Sequence, residues 1–181
     1  MLAKSSSSLR EFQESILLKL KEAAEHGGET STSRLGVTLG EKKLLINLRD
    51  VREVLPMPLV QAVPLTQSWF LGVANVRGNL YNVTDLAHFI GLPATQKSTN
   101  NRIMLLSSEV TSQAALMIES LVGLRNVETM QLKMLNDAND ANQEHTFLSK
   151  HAYIDVDGNE WFELDIDALV RDKIFIQPTS S

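Results

Sequence analysis

From Arg34 onward the sequence is divided into short apolar runs with turn signals between them, and this pattern constrains the fold more than any other feature. Glycine-containing turns at 40–42 and 77–79 separate neighbouring runs. Strands this short, with turns this frequent, favour an all-β barrel or sandwich over alternating βαβ units. The predicted strands of the first half are Leu35–Leu39, Leu44–Leu48, Val60–Val63, Val73–Val76 and Leu80–Val83.

A weak internal repeat runs through this pattern. Leu44–Ile46 resembles Leu116–Ile118, and Val83–Leu86 resembles Glu163–Ile166. In the second pair of segments a strand runs into an aspartate, Asp85 or Asp165, and each aspartate is predicted to cap a short helix. The chain therefore reads as two similar β-units of about 65 to 80 residues each.

The second unit contains a clear hairpin signal. Asp157-Gly158 lies between two strand-like runs, 152–156 and 160–164. Asp-Gly suits a two-residue type I′ turn, because both of its central positions need a positive φ. The acidic residues at 155 and 157 also raise the possibility of a calcium loop. The glycine comes too early for such a loop, however, and Ile166 lies where a bidentate glutamate is needed.

The N-terminal part has a different pattern of apolar and polar residues. Residues 1–33 are predicted to comprise a polar start, an amphipathic helix at about 9–25 and a linker. The helix has an apolar stripe at spacings of three or four residues, and Gly27-Gly28 ends it. The stripe consists of Leu9, Phe12, Ile16, Leu20 and Ala23.

Composition and motif searches narrow the function classes. The net charge of −5 argues against a nucleic-acid partner. No apolar run approaches the roughly 20 residues that span a bilayer, so we expect no membrane insertion and a cytoplasmic location. The chain has no cysteine, and its histidines lack metal-ligand spacing. Nucleotide-binding and nucleophile-elbow motifs are absent from the sequence. We therefore expect no metal, no cofactor and no enzymatic activity.

One long segment carries a family resemblance. Trp69–Leu86 resembles the core motif of the CheW-like family: an apolar lead-in, Gly-Val, Asn-x-Arg-Gly, and an apolar strand that ends in Asp-Leu. Upstream, Val51–Val54 resembles the family's Val-x-Glu-Ile segment. Downstream, Ala115–Gly123 resembles its second-half strand, with Glu119 where the family usually has aspartate.

The resemblance implies a fold of two five-stranded SH3-like barrels, related by a pseudo-two-fold axis. It covers the domain at 34–175, with the first barrel mainly 34–92 and the second mainly 102–165. A C-terminal segment would close the fold, and 176–181 would be a flexible tail.

The resemblance also implies a function and a binding surface. Members of this family are adaptors that join the regulatory domain of a CheA-type histidine kinase to the cytoplasmic tip of a methyl-accepting chemoreceptor. By similarity, Arg77 pairs with Glu53 close to the partner surface. The predicted partner-binding residues are Glu53, Val54, Met57, Asn75, Arg77 and Gly78.

The pathway and two alternatives stay open at this point. The segments at 8–13, 69–75 and 158–164 resemble the adaptor of type IV pilus chemosensory systems, which control twitching motility. A coupling protein of swimming chemotaxis or of another chemosensory pathway would have the same fold. A small β-barrel ligand-binding module is the alternative from a different class, and it would need a pocket with convergent polar groups.

Overall fold

The computed structural model describes residues 32–135 and 147–180, and within them twelve strands form two six-stranded sheets. The predicted N-terminal helix at about 9–25 lies outside the described residues. In chain order the strands are β1 (Ser33–Leu39), β2 (Lys42–Asn47), β3 (Val51–Pro56), β4 (Val60–Gln61), β5 (Phe70–Val76), β6 (Asn79–Asp85), β7 (Arg102–Leu106), β8 (Ala114–Ile118), β9 (Ser120–Asn126), β10 (Gln131–Met134), β11 (Leu148–Ile154) and β12 (Glu160–Leu164).

Each sheet forms one small SH3-like barrel. The central barrel has the strand order β3-β7-β8-β6-β5-β4, and the composite barrel has the order β10-β11-β12-β2-β1-β9. The prediction of an all-β fold with two barrels is confirmed, although each sheet has six strands where five were expected. One strand of the central barrel, β4, contains two residues.

The two sheets follow the same plan. Adding six to each strand number of the central barrel, with β1 following β12, gives the order β9-β1-β2-β12-β11-β10. This is the order of the composite barrel, read from its other edge. Each barrel also has one parallel pair, β6 with β8 and β2 with β12. The weak repeat read from the sequence is therefore present in the strand order.

The division of the chain between the barrels was predicted wrongly. The central barrel uses 51–118 without interruption, whereas the composite barrel joins β1 and β2 to the distant strands β9–β12. A turn of 3-10 helix at Leu48–Asp50 leads the chain from β2 into the other barrel, and the single residue Glu119 leads it back from β8. Apolar periodicity shows that a strand exists, but not which strand it pairs with.

The most apolar strands lie in the middle of the two sheets, where their side chains are buried. All five residues of β8 are buried, and so are Leu44, Leu45 and Ile46 in β2. Both strands have a neighbour on each side, one of them parallel, and strands covered on both faces read as continuous apolar runs. The core cluster of the central barrel contains Ala74, Val76, Tyr81, Val83, Ile103, Leu105, Ala115 and Met117.

The part of the chain that the structure describes has three short α-helices: α1 (Leu86–Phe89) after β6, and α2 (Ile166–Arg171) and α3 (Lys173–Ile176) after β12. The Asp85 carboxylate accepts a hydrogen bond from the His88 amide, and the Asp165 carboxylate accepts one from the Ala168 amide. Both predicted caps are confirmed. No helix in the described ranges is long and apolar enough to cross a membrane.

The C-terminal residues are tied down, contrary to the prediction of a flexible tail. The Gln67 amide donates to the Pro178 carbonyl at 2.7 Å, and the Ser180 amide donates to the Leu65 carbonyl at 2.9 Å. Backbone pairing of this kind needs no apolar side chain, so the polar composition of the tail gave no sign of it.

Candidate partner-binding site

The site is built around the turn between β5 and β6. Val76 pairs with Asn79, so Arg77 and Gly78 form a two-residue turn. Their φ angles are 52° and 86°, and a type I′ turn requires positive φ at both positions. Arginine rarely adopts this conformation, so other contacts must hold it. One is a hydrogen bond from the Gly78 amide to the Asn75 side-chain oxygen, at 2.9 Å.

A second contact joins this turn to the opposite edge of the same sheet. The guanidinium of Arg77 donates to both carboxylate oxygens of Glu53 on β3, at 2.6 and 2.7 Å. Next to this pair, the Arg52 guanidinium donates to the Tyr81 hydroxyl at 3.3 Å. These links span the gap between β3 and the β5–β6 hairpin. The Arg77–Glu53 pair expected by resemblance is therefore present.

The pair lies at the surface. The Arg77 side chain is 68% exposed and the Glu53 side chain 25% exposed. A solvent-exposed ion pair contributes roughly 0–1 kcal/mol to stability. Its two-pronged geometry, however, fixes the direction of both side chains. The arrangement is thus better suited to presenting a defined polar surface than to stabilising the barrel.

Two of the predicted partner-binding residues have other environments. Val54 is 5% exposed, so its side chain belongs to the core and is not available to a partner. β3 pairs with β7 on one side only, but the Val54 side chain points to the buried face of the strand. Met57 is partly buried and packs against the core cluster of the central barrel.

Sequence reasoning missed two exposed apolar side chains in the segment around β4. Leu59 is 92% exposed and Leu65 is 81% exposed, both in the segment that surrounds β4. Leu65 also has a φ of 58°, which is rare for a branched side chain. Val60–Val63 was predicted as a strand, and no periodicity marked which side chains next to it face solvent.

Both tryptophans are buried. Trp69 is 8% exposed and meets the Phe89 ring edge-on, with ring centres 4.8 Å apart. Trp161 is 1% exposed, and its indole N–H donates to the Asp155 carboxylate at 2.8 Å.

The possible calcium loop at 155–159 is a self-contained turn. The Asp155 carboxylate accepts hydrogen bonds from the backbone amides of Asp157 and Asn159, as well as from the Trp161 indole. Burial alone would raise the pKa of the Asp155 carboxyl, but the hydrogen bonds from Trp161, Asn159 and Asp157 outweigh it and lower the pKa to about 2. The carboxylate that a cation would need is therefore already engaged.

The turn type predicted for this hairpin is wrong. Ile154 pairs with Glu160, so the loop comprises residues 155–159, and φ is positive at Gly158 (82°) but not at Asp157. The Gly158 amide donates to the Asp155 carbonyl at 3.0 Å, which closes a turn one step earlier than expected. The Asp155 side chain accepts hydrogen bonds from the amides of Asp157 and Asn159, so Asp155 belongs to the loop and not to the strand.

Two SH3-like barrels with a fixed polar pair at the surface define a rigid β scaffold of a known kind. The profile of the CheW-like domain family matches residues 34–173. The chain therefore belongs to the CheW-like domain family.

Individual relatives agree with this membership. The chain is 27% identical to the protein PilI of Pseudomonas aeruginosa over 103 residues, which are 57% of each chain. It is 21% identical to the chemotaxis protein CheW of Thermotoga maritima over 138 residues, 76% of this chain and 87% of that one. It is 24% identical to the chemotaxis protein CheV3 of Helicobacter pylori over 82 residues, 45% of this chain and 26% of CheV3. The match thus spans little more than half of PilI and about a quarter of CheV3.

A solved structure shows the same fold. The scaffolding protein TtCheW from Thermoanaerobacter tengcongensis superposes with a TM-score of 0.62 at 18% sequence identity. The superposition covers 78% of this chain and 93% of TtCheW.

Proposed function

We propose that this protein is a non-catalytic chemosensory adaptor. It binds the regulatory domain of a CheA-type histidine kinase and the cytoplasmic tip of a methyl-accepting chemoreceptor, and it holds the two in a fixed arrangement. Family membership and relatives named as chemotaxis and scaffolding proteins support this function. A packed double barrel suits it, because loops carried on a rigid core keep their positions.

The observation that carries the proposal is the two-pronged ion pair between Arg77 and Glu53. Arg77 lies in the segment that resembles the family's core motif and Glu53 in the upstream one, and the pair is exposed where a partner could reach it. Asn75 and Gly78 hold the arginine in its strained conformation. The proposed contact surface therefore comprises Glu53, Asn75, Arg77 and Gly78, with Met57 at its edge, and it does not include Val54.

We further propose that the adaptor serves a type IV pilus system that controls twitching motility. The match to PilI supports this pathway. In that role the protein would work in the cytoplasm and be recruited to receptor arrays at the membrane. A coupling role in swimming chemotaxis is the second candidate, favoured by the match to CheW, which extends over more of the chain.

The test is a pull-down from native extract with the full chain as bait. Wild type should retrieve a histidine kinase and a methyl-accepting receptor, both identified by mass spectrometry. Arg77→Glu should weaken capture of at least one of them about tenfold or more, because it places two carboxylates side by side at the surface. Arg171→Glu is the matched control: this arginine is also exposed, but it lies on α2, outside both segments that carry the ion pair.

A charge-swapped double variant, Glu53→Arg with Arg77→Glu, adds a second comparison. If it recovers binding, the pair acts by orienting the turn; if it does not, the partner reads the charge of Arg77 directly.

Retrieval of neither kinase nor receptor by wild type would contradict the adaptor function. If a folded Arg77→Glu variant binds kinase and receptor as well as wild type does, this surface is not a partner-binding surface. A kinase encoded with pilus genes would support twitching, and one encoded with flagellar genes would support swimming chemotaxis.

A further inference from the structure

Strand β10 is an open edge of the composite barrel. It is the last strand on one side of its sheet, and no strand lies beyond it in the described ranges 32–135 and 147–180. All four of its residues are exposed. An edge strand keeps backbone donors and acceptors with which a further strand can pair.

One hydrogen bond shows which backbone groups of β10 are open. The Leu135 amide donates to the Lys150 carbonyl of β11 at 3.3 Å. Alternate residues of an antiparallel strand turn their backbone groups to the same neighbour, so every second residue before Leu135 also faces β11. The amides and carbonyls of Leu132 and Met134 therefore face the open edge.

Met130 extends this pattern by one step and completes an apolar row. Its backbone is extended (φ −105°, ψ 153°), so its carbonyl also faces the open edge, while its amide donates to the Val127 carbonyl. The side chains at 130, 132 and 134 share one face of the strand. Leu132 is 55% exposed and Met134 is 67% exposed. Tyr153 lies opposite Leu132 on β11, so it borders the row on the same face.

Two antiparallel registers would pair most of β10 with β10 of a second copy. Opposite residues in such a pair share a face, so one residue must lie opposite itself at the two-fold axis. A register centred on Lys133 would place two like charges opposite each other, which is unfavourable. A register centred on Leu132 places Lys133 opposite Gln131, and Met130 opposite Met134. The second register therefore gathers the apolar side chains and separates the lysines.

We propose that two copies of this chain associate through β10, with Leu132 of one copy opposite Leu132 of the other. The two Leu132 residues exchange a pair of backbone hydrogen bonds, and each Met134 amide donates to the Met130 carbonyl of the other copy. The two six-stranded sheets become one sheet of twelve strands, and the apolar rows meet on one face. The interface is small, so the association is weak and reversible. It uses a surface other than the Arg77–Glu53 turn and does not depend on the adaptor function.

The first test is sedimentation velocity of the full-length protein from micromolar to millimolar concentration. We expect a monomer when the protein is dilute and a dimer when it is concentrated. Leu132→Lys should weaken the dimer at least about tenfold, because it puts two ammonium groups at the two-fold axis and removes the central apolar contact. Leu59→Lys is the matched control: this leucine is also exposed, but it lies beside β4 in the other barrel, and the dimer should be unchanged.

A pair of variants at Gln131 tests the register. Gln131 and Lys133 share the face on which Lys133 also pairs with Glu160 of its own chain. In the proposed dimer Gln131→Glu creates two opposite-charge pairs between the copies and should tighten association about two- to thirtyfold. Gln131→Lys should weaken it by a similar factor. If the two variants dimerise equally well, the proposed register is wrong.

Amide hydrogen exchange, followed by NMR, tests the backbone pairing. The Leu132 and Met134 amides should exchange rapidly in dilute protein and slowly in concentrated protein, because only the dimer bonds them. Slow exchange at every concentration would mean that the edge is covered within one chain, and would overturn the proposal. So would a protein that stays monomeric at millimolar concentration, or a folded Leu132→Lys variant that dimerises as wild type does. A monomer whose Leu132→Lys variant captures less kinase or receptor from extract would assign the edge to a partner's strand instead.

Discussion

Asp155 shows how much one side chain can organise. Its carboxylate accepts hydrogen bonds from two backbone amides of its own loop, and it anchors the buried Trp161 indole. The conformation of the loop and the position of the indole therefore both depend on a single negative charge. Its low pKa reflects the same contacts, because each of them favours the ionised form.

Asp155→Asn should destabilise the protein by about 1–3 kcal/mol at pH 7, since hydrogen bonds to a charged acceptor are lost or weakened. The pKa of this carboxyl is about 2 in the folded protein, against about 4 in an unfolded chain. The stabilisation is therefore fully present above pH 4 and is lost as the pH falls toward 2. Urea unfolding of both proteins should show a gap that closes over this range. A gap that stays constant from pH 7 to pH 2 would contradict the assigned role.

Single residues could be predicted where one local rule decides their environment. Asp85 and Asp165 cap helices because each follows a strand and precedes a short apolar turn. Val54 could not be placed in the same way, since its burial depends on which face of β3 is turned to the core.

At the scale of elements, β5 depends on a glycine that no other residue can replace. Gly72 has a φ of 130° and lies where the register of β5 and β6 shifts. A Cβ at this position would lie 2.0 Å from the Gln61 carbonyl oxygen of β4. The short strand β4 thus pairs with β5 because Gly72 lets the two backbones come close.

Two glycine variants separate close approach from backbone conformation. Gly78 also has a positive φ, but a Cβ there would meet nothing within 4 Å. Gly78→Ala should therefore cost about 1–2 kcal/mol of stability, the usual penalty for a left-handed residue. Gly72→Ala should cost more than about 3 kcal/mol, because a backbone clash is added. Thermal unfolding measures both, and equal losses would argue against close approach as the reason for Gly72.

Hairpins were predicted with mixed success. Arg77-Gly78 and Asp157-Gly158 look alike in sequence, yet the first makes the two-residue turn and the second makes a longer loop. The difference comes from partners outside the turns. Glu53 fastens Arg77 from another strand, while Asp155 captures amides of its own loop.

For the whole molecule, the sequence indicated two similar units but not their exchange of strands. Each unit gives its first two strands to the barrel that the other unit completes. The reason lies in the pairs β2–β12 and β6–β8, which join residues far apart in the chain. Patterns within a strand cannot show such pairs, because they depend on the final positions of both segments.

This exchange predicts how the chain responds to a cut. Cleavage between residues 96 and 97, in the exposed loop after α1, separates β1–β6 from β7–β12. Each fragment alone lacks partners for its central strands, so neither should fold. An equimolar mixture should regain the circular dichroism and elution volume of the intact protein. Independent folding of either fragment would contradict the strand exchange as a requirement for stability.

The two short crossings have a mechanical consequence. The chain passes between barrels through three residues at Leu48–Asp50 and through one at Glu119. Thr38 donates to the Glu119 side chain, and Asn101 donates to its backbone carbonyl, so this crossing is fastened on both sides. Two connections this short leave little freedom for one barrel to rotate against the other. We therefore expect a force applied to one barrel to displace both together.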